Sequence, residues 1–284
     1  MLHKLIFIKT KQYFCKKLHK MKFIPNTLLY FLVLVLFIQC KDVAKKEAKI
    51  TTAKNEIQYA KGLEIYNYKG FAVVKITNPW PDAKENFTYV LQQKNSIIPD
   101  SLKQFTTIQI PLKSIVVTST THIPALELLG VENTLVGFPN TDYISSVKTR
   151  KLIDAGKVRE VGTNETLNTE VLIDMAPDLI VSFGLNNSNP TLDNLQKSGL
   201  KVMLNGDWTE QSPLGKAEWI KFFGALYGLN AKANTIFSDI EKEYNATLAL
   251  AKKATSKPTV LSGAMFQDQW YVPQGQSWAS LFLK

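Results

Sequence analysis

The stretch SIVVTSTTHIPALELLG, residues 114–130, decides the fold class of this chain. It begins with a short run of β-branched apolar residues at 115–117, which is typical of a parallel strand covered on both faces. A helix is predicted directly after the run, with Pro124 in its first turn and Gly130 at its end. A buried strand followed by a helix is the repeating unit of a parallel α/β sheet.

The same alternation continues downstream, where the hydrophobic pattern predicts three more strands and two more helices. The strands are TLVGF (134–138), PDLIVSFG (177–184) and LKVMLNGDW (200–208), and the helices are NTEVLIDMA (168–176) and TLDNLQKSG (191–199). The segment VREVG (158–162) lies between the first of these strands and the first helix. Residues 139–157 are expected to form a loop. Successive strand and helix units of this kind predict an α/β lobe over residues 111–212.

Different patterns flank this lobe. The segment LEIYNYKGFAVVKITNPWP (63–81) alternates apolar and polar residues around turn residues, so residues 56–110 are predicted as a β-hairpin extension. Residues 213–255 carry helical periodicity, broken near Gly228, and would form a bridging helix region. Residues 256–284 begin a new strand and turn, and this length is too short to build a second α/β core.

The basic charge of the chain is concentrated at its start. The formal net charge is +10, but residues 1–39 contain seven lysines and no acidic residue, which leaves +3 (10 minus 7) for the rest. The charge of the rest of the chain therefore gives little support for nucleic-acid binding. The apolar run at 28–38 is too short to span a membrane comfortably and is typical of a signal-peptide core. Residues 1–39 are predicted as a signal peptide, with Met21 as an alternative start.

Cys40 directly follows that apolar run and resembles the lipidated cysteine of a bacterial lipoprotein, although Gln39 is not the small residue usual before it. If Cys40 is lipidated, residues 40–55 would tether an exported protein to a bacterial membrane, facing the periplasm or the cell surface. An uncleaved membrane anchor is the alternative interpretation. The other cysteine, Cys15, lies upstream, so the exported body would hold no disulfide and no cysteine metal site.

In the order of its segments the chain resembles the helical-backbone class of substrate-binding proteins of ABC importers, which serves iron–siderophore, haem and cobalamin uptake. The resemblance covers roughly residues 112–284. It is carried by SIVVTSTTHIPALELLGVENTLVGF (114–138), NTEVLIDMAPDLIVSFG (168–184), LKVMLNGDW (200–208) and PLGKAEWIKFFGALYGLNAKANTIF (213–237).

The resemblance implies two α/β lobes bridged by a long helix, with a ligand held in the cleft between them. The ligand would be a metal chelate, such as a ferric siderophore, haem or cobalamin, and no cofactor is implied. The protein would be a monomer that delivers this chelate to an ABC transporter permease. Relative to this class the second lobe would be incomplete, so the chain is expected to be truncated.

Ligands of parallel α/β lobes bind beyond the carboxyl ends of the strands, where loops and helix N-termini meet. The predicted strand ends at Thr118, Phe183 and Trp208 are expected to lie side by side and to open toward a hollow that faces Trp270. Aromatic residues with a few polar groups suit a large, partly apolar chelate. The candidate ligand residues are Thr120, Thr121, His122, Phe138, Asn140, Gly184, Trp208, Trp270, Tyr271 and Gln274.

Structural roles compete for several of these residues. Thr120 and Thr121 could simply cap the following helix, and Trp208 and Trp270 could pack in the core.

The resemblance also implies a surface carboxylate that pairs with permease arginines. Glu127 is the candidate, with a solvated helix face as the alternative interpretation. Glu218, within the helical region, is expected to be structural.

His122 is the only histidine after the predicted signal peptide. A bare transition metal usually takes three or four protein ligands, and no His-x-His or His-x-x-x-His spacing occurs, so no metal site is expected. His122 is instead predicted to be a polar residue on the rim of the ligand cleft. Axial ligation of a haem iron is its less favoured role.

An enzyme, such as a lipid-anchored α/β hydrolase, is the main alternative class. The chain has no Gly-x-Ser-x-Gly elbow, no phosphate-binding loop and no Gly-x-Gly-x-x-Gly sequence. A serine–histidine pair would have to use Ser119 and His122 on one turn, which is a poor geometry for a catalytic triad. A scaffold protein that uses residues 56–110 is a third possibility. The sequence favours a binding protein without enzyme activity.

Overall fold

The computed structural model describes residues 53–283 and contains two large β-sheets with helices around them. The predicted signal peptide, Cys40 and most of the predicted tether lie outside the described residues. A separate two-stranded sheet follows near the end of the described chain.

The first sheet contains the predicted hairpin. It consists of β1 (Leu63–Tyr68), β2 (Phe71–Ile76), β3 (Phe87–Gln93) and β4 (Thr106–Ile110), in that order. The first three strands are antiparallel, as the alternating pattern predicts. The expectation that hairpins continue to residue 110 is wrong, because β4 runs parallel to β3. Residues 94–105, with a short 3₁₀ turn, supply the longer crossover that a parallel pair requires.

The second sheet has five parallel strands in the order β7-β6-β5-β8-β9. Its strands are β5 (Ile115–Val117), β6 (Leu135–Phe138), β7 (Arg159–Glu160), β8 (Leu179–Ser182) and β9 (Val202–Leu204). All except β7 correspond to runs that the sequence predicts as strands, and β7 lies in the segment VREVG, which the sequence pattern does not assign to an element. The predicted α/β class with a parallel sheet is therefore confirmed.

Helices α1 (His122–Leu129), α3 (Thr169–Met175) and α4 (Pro190–Lys197) also match predicted helices. Gly130 ends α1 with φ of 71°, a left-handed conformation that suits glycine. The expected loop at 139–157 is wrong in part, because it contains helix α2 (Val147–Asp154). The Ser146 hydroxyl caps this helix by accepting from the Thr149 N–H, a local signal that outweighs the weak apolar pattern.

Both faces of the parallel sheet are covered, which explains the continuous apolar runs of its strands. Ile115 and Val117 of β5 lie in the larger core cluster, together with residues of α1 and of the first sheet. Val116 of the same strand lies in a second cluster with residues of α3 and α4. The first sheet therefore shares the core of the α/β lobe and is not an appended module.

The helical region consists of α5 (Pro213–Glu218), α6 (Ile220–Leu226) and α7 (Asn230–Ala251). The predicted break is confirmed: Gly228 adopts φ of 66° between α6 and α7. α6 is buried throughout, whereas α7 buries only Ala233 and Phe237.

After α7 come β10 (Ala264–Phe266), β11 (Gln269–Tyr271) and α8 (Trp278–Leu283). The two strands form an antiparallel pair with exposed side chains.

Candidate functional site

The carboxyl ends of the parallel strands form the candidate site. The chain runs from β5 outward through β6 to β7, and then crosses to β8 and β9 on the other side of β5. The strand order therefore reverses its direction at β5. A crevice at such a switch point is the usual position of a ligand in an open α/β sheet. We call the residues that follow these strands, 118–121, 139–140, 183–184 and 205–208, the carboxyl edge.

Hydrogen bonds join three strand ends at this edge. The hydroxyl groups of Thr118 and Ser182 lie 3.0 Å apart and are buried. The Thr118 N–H donates to the Val181 carbonyl at 3.1 Å, and the Asn205 N–H donates to the Ser182 carbonyl at 2.8 Å. The prediction that these three strands lie side by side is therefore confirmed, but β9 ends at Leu204, so Trp208 is not at a strand end.

Thr120 and Thr121 are exposed at the start of α1. Thr121 occupies the N-cap position, but its side chain makes no capping hydrogen bond, so the expected side-chain cap is absent. The Ser119 hydroxyl instead accepts from the Thr121 N–H at 3.3 Å and lies 2.8 Å from the Thr121 hydroxyl. These hydroxyl groups are placed where a ligand at the carboxyl edge could reach them.

His122 is not on the rim, and that prediction is wrong. Its side chain is fully buried, and its ring lies 5.5 Å from that of Phe223. Neither ring nitrogen has a hydrogen-bond partner within the described part of the chain. Burial lowers the pKa of His122 to about 4, against the opposing effect of the Asp207 charge. The histidine is therefore neutral near pH 7 and forms part of the core behind the carboxyl edge.

Phe138 is also buried in the core, where the last residue of an apolar strand packs against its neighbours, so it is not available to a ligand in this structure. Asn140 is partly exposed and adopts φ of 52°. Its backbone N–H donates to the Glu160 carboxylate at 2.6 Å, and the Thr141 N–H donates to the same carboxylate at 2.9 Å. Glu160, which the sequence did not single out, therefore fixes the loop after β6.

Gly184 is buried against the Trp80 ring. A Cβ atom at this position would lie 2.6 Å from Trp80 Cε3, so only glycine allows the indole to pack here. Trp208 lies in a 3₁₀ turn after β9 and is 36% exposed. The Lys216 ammonium donates to the Trp208 carbonyl at 3.2 Å and holds this turn in place.

The remaining predicted ligand residues lie on the last part of the described chain. Trp270 and Tyr271 belong to β11 and are about half exposed, and Gln274 is exposed. Within residues 53–283 no hydrogen bond or ring contact joins these three residues to the carboxyl edge. The described residues therefore show no contact that would support the predicted hollow between the carboxyl edge and Trp270.

Asn205 is a residue that the sequence analysis missed. Its side chain is fully buried, its oxygen accepts from the Asp207 N–H at 2.8 Å, and its Nδ2 has no partner among the described residues. The Asn-Gly-Asp sequence at 205–207 is a turn signal at a strand end and could have identified it.

Glu127 is half-buried on α1. Its carboxylate accepts hydrogen bonds from the hydroxyl groups of Ser146 and Thr149, both at 2.5 Å. It therefore connects α1 to the start of α2, and this contact is local to the lobe.

Glu218 has the structural role that the sequence predicts. It is fully buried and pairs with the Lys221 ammonium at 2.8 Å. Burial raises the pKa of Glu218, but hydrogen bonds from Lys221 and from backbone N–H groups outweigh burial and hold this pKa below its ordinary value.

Residues 53–283 contain neither a cluster of metal-ligating side chains nor a membrane-spanning helix. No group of three or more histidine, cysteine, aspartate or glutamate side chains is arranged to hold a metal ion there. No helix in the same residues is long and apolar enough to cross a membrane.

A family model described as "Periplasmic binding protein" matches residues 115–284. Two uncharacterized lipoproteins of Methanocaldococcus jannaschii are similar to the chain. One is 23% identical over 246 residues, which cover 79% of this chain and 58% of the relative. The other is 28% identical over 226 residues, which cover 76% of this chain and 55% of the relative. The chain thus spans little more than half the length of the curated relatives it matches.

The crystal structure of a periplasmic binding protein from Veillonella parvula has a similar fold. Its TM-score is 0.50 at 16% sequence identity, and the match covers 70% of this chain and 59% of that one.

Proposed function

The chain belongs to the periplasmic binding protein family. We propose that it captures a metal chelate and delivers it to an ABC transporter permease. The family consists of binding proteins and not of enzymes, in agreement with the sequence analysis. The chelate, the permease and the membrane anchor are parts of our proposal.

The carboxyl edge carries the proposal. Three strand ends are fastened together by the Thr118–Ser182 hydroxyl pair and by the backbone bond from Asn205 to Ser182. A rigid edge of this kind can present the exposed Thr120, Thr121 and Trp208 to a ligand without a large ordering cost. An exposed indole and exposed hydroxyl groups that follow strands of the same sheet suit a large ligand with both apolar and polar surface.

The burial of His122 argues against one type of chelate, a haem whose iron is bound by this histidine. A haem iron bound axially by this histidine would require the ring to leave the core, where it packs near Phe223. We therefore favour a ferric siderophore, a chelate that supplies its own metal ligands. Cobalamin, or haem held without His122, is the alternative within the same family.

The membrane anchor rests on Cys40 and on the two relatives named as lipoproteins. We propose that the protein is exported, acylated at Cys40 and held at a bacterial membrane as a monomer. Glu127 is our candidate for the permease contact. A permease arginine would have to share its carboxylate with Ser146 and Thr149.

Isothermal titration calorimetry with a ferric siderophore, haemin and cobalamin tests the proposal. We expect saturable binding of one chelate, weakened at least about tenfold in Trp208→Ala, because a half-exposed indole at the site loses its contact area. Ile97→Ala is the matched control, since Ile97 is 88% exposed in the β3–β4 connection. Native mass spectrometry of protein purified from its own host would identify a co-purified ligand. Absence of binding by all three chelates and of any co-purified ligand would overturn the proposal.

A further inference from the structure

An open pocket with a volume of about 150 Å³ lies beside β9, on the face of the sheet that α4 covers. One wall comes from the β2–β3 connection and β3, and the opposite wall from α4 and the loop before it. The family model matches residues 115–284, and the first wall lies upstream of them. Residues outside the part that matches the family therefore contribute to the pocket. The inference drawn from it does not depend on chelate capture.

The floor of the pocket is aromatic and apolar. Trp80 and Phe87 lie edge to face with ring centroids 5.9 Å apart, and Tyr89 lies beside them. The Tyr89 hydroxyl accepts from the Leu204 N–H at 3.1 Å, which ties β3 to the free edge of β9 and keeps the floor rigid. A preformed apolar floor of this size can take the body of a small organic molecule.

The rim of the pocket carries negative charge and amide groups. Glu85 and Asp193, one on each wall, both line the pocket and are exposed, and Asn186, Asn187 and Gln196 add amide donors and acceptors. Neither carboxylate forms an ion pair or a side-chain hydrogen bond within residues 53–283. No lysine or arginine lines the pocket in the described part of the chain.

From this lining we propose that the pocket binds a small organic cation, a protonated amine attached to an apolar or aromatic body. The ammonium group would lie at the rim, where the Glu85 and Asp193 carboxylates attract it electrostatically. The body would rest on the aromatic floor, whose rings also favour a nearby cation. An anionic ligand of the same shape is disfavoured, because two carboxylates and, among the described residues, no lysine or arginine line the pocket.

Three molecules with the same ring test the charge requirement: 2-phenylethylamine, 2-phenylethanol and phenylacetate. By calorimetry with the full chain at low salt, we expect the amine to bind at least about fivefold more tightly than the alcohol. Phenylacetate should bind most weakly. Higher salt should weaken the amine and leave the alcohol unchanged, because exposed charges are screened.

Variants locate the binding. Glu85→Gln and Asp193→Asn should each weaken the amine by about two- to fivefold, as expected for exposed ion pairs, and should leave the alcohol unchanged. Glu243→Gln, an exposed carboxylate on α7 outside the pocket, is the matched control and should have no effect. The Trp80 indole N–H resonance, assigned with Trp80→Phe, should shift with amine concentration.

Equal binding of the three probes, unchanged amine affinity in both carboxylate variants, or no saturable amine binding would each overturn this inference. Failure of the chelate titrations would leave it intact, because those titrations test the carboxyl edge.

Discussion

The Glu218 carboxylate accepts a hydrogen bond from the Tyr59 backbone N–H at 2.7 Å, across 159 positions of the sequence. The same carboxylate accepts from the N–H groups of Gln58 and Ala60 at 3.0 Å. Lys221, also buried, balances its charge. A charged acceptor with this many donors is stabilised despite its burial.

Glu210 continues the arrangement along the same segment. Its carboxylate accepts from the N–H groups of Lys61 and Gly62 at 2.9 Å and from the Trp219 indole at 3.2 Å. Five successive backbone N–H groups, at residues 58–62, therefore end on two buried carboxylates. These bonds fix the start of the first sheet to the helical region.

Glu218→Gln should lower the free energy of unfolding by about 2 to 4 kcal/mol, because it leaves the Lys221 ammonium buried without a counter-charge. Urea unfolding followed by circular dichroism measures the change. Glu243→Gln is the control, and its exposed position predicts a change within about 0.5 kcal/mol. Equal stability of the two variants would show that the buried pair does not hold the segment.

The buried His122 predicts a loss of stability below pH 6.5. The unfolded chain takes up a proton near the ordinary pKa of 6.5, whereas the folded protein does so only near 4. Between these values the unfolded state binds more protons, so the free energy of unfolding falls as the pH falls, by about 3 kcal/mol in total. Urea unfolding at pH 7, 6, 5 and 4 measures this slope.

Two variants separate the titration of His122 from its polarity. His122→Leu should be more stable than the natural protein at pH 5 and should lose the slope between pH 6.5 and 5, because no group at position 122 titrates and no buried polar atom there lacks a partner. His122→Asn should also lose the slope but should be less stable than His122→Leu at every pH. An unchanged slope in both variants would place the titrating group elsewhere.

Much of the fold could be predicted from local sequence patterns. The β-branched run at 115–117 and the apolar segment around 179–182 are long enough to identify buried strands, and their order along the chain implies neighbouring positions in a parallel sheet. The break at Gly228 follows from a local property of glycine, which adopts positive φ without a steric penalty.

The parts that could not be predicted depend on distant partners. The direction of β4 is set by its pairing with β3 and not by its own alternation. Histidine is a polar residue that the sequence alone places at the surface. His122 is buried because α6 packs against α1, with Phe223 near its ring. The role of Glu210 depends on backbone N–H groups about 150 positions away, and such groups leave no trace in the amino-acid sequence.

Gly184→Ala should destabilise the lobe by about 1 to 3 kcal/mol, because the added methyl group would meet the Trp80 ring at 2.6 Å and force the loop after β8 to shift. Thermal and urea unfolding measure the loss. Gly275→Ala is the control, since a Cβ atom there meets nothing within 4 Å. Trp80→Leu in the Gly184→Ala background should recover part of the loss, and a strictly additive double variant would contradict the proposed clash.

Tyr89→Phe should cost about 1 to 2 kcal/mol, because it removes the only acceptor that the structure gives the Leu204 N–H at the edge of β9. Burial raises the pKa of the Tyr89 phenol to about 12, so the hydroxyl is neutral in the physiological range and the loss should not vary between pH 6 and 9. Amide hydrogen exchange at Leu204 should become faster in this variant, whereas exchange at the central strand β5 should follow only the global stability. Tyr143→Phe, at a tyrosine that is 72% exposed, is the control and should change neither measurement. If Leu204 stayed equally protected in Tyr89→Phe, another group would have to accept its N–H, and the connection between the two sheets would not depend on this hydroxyl.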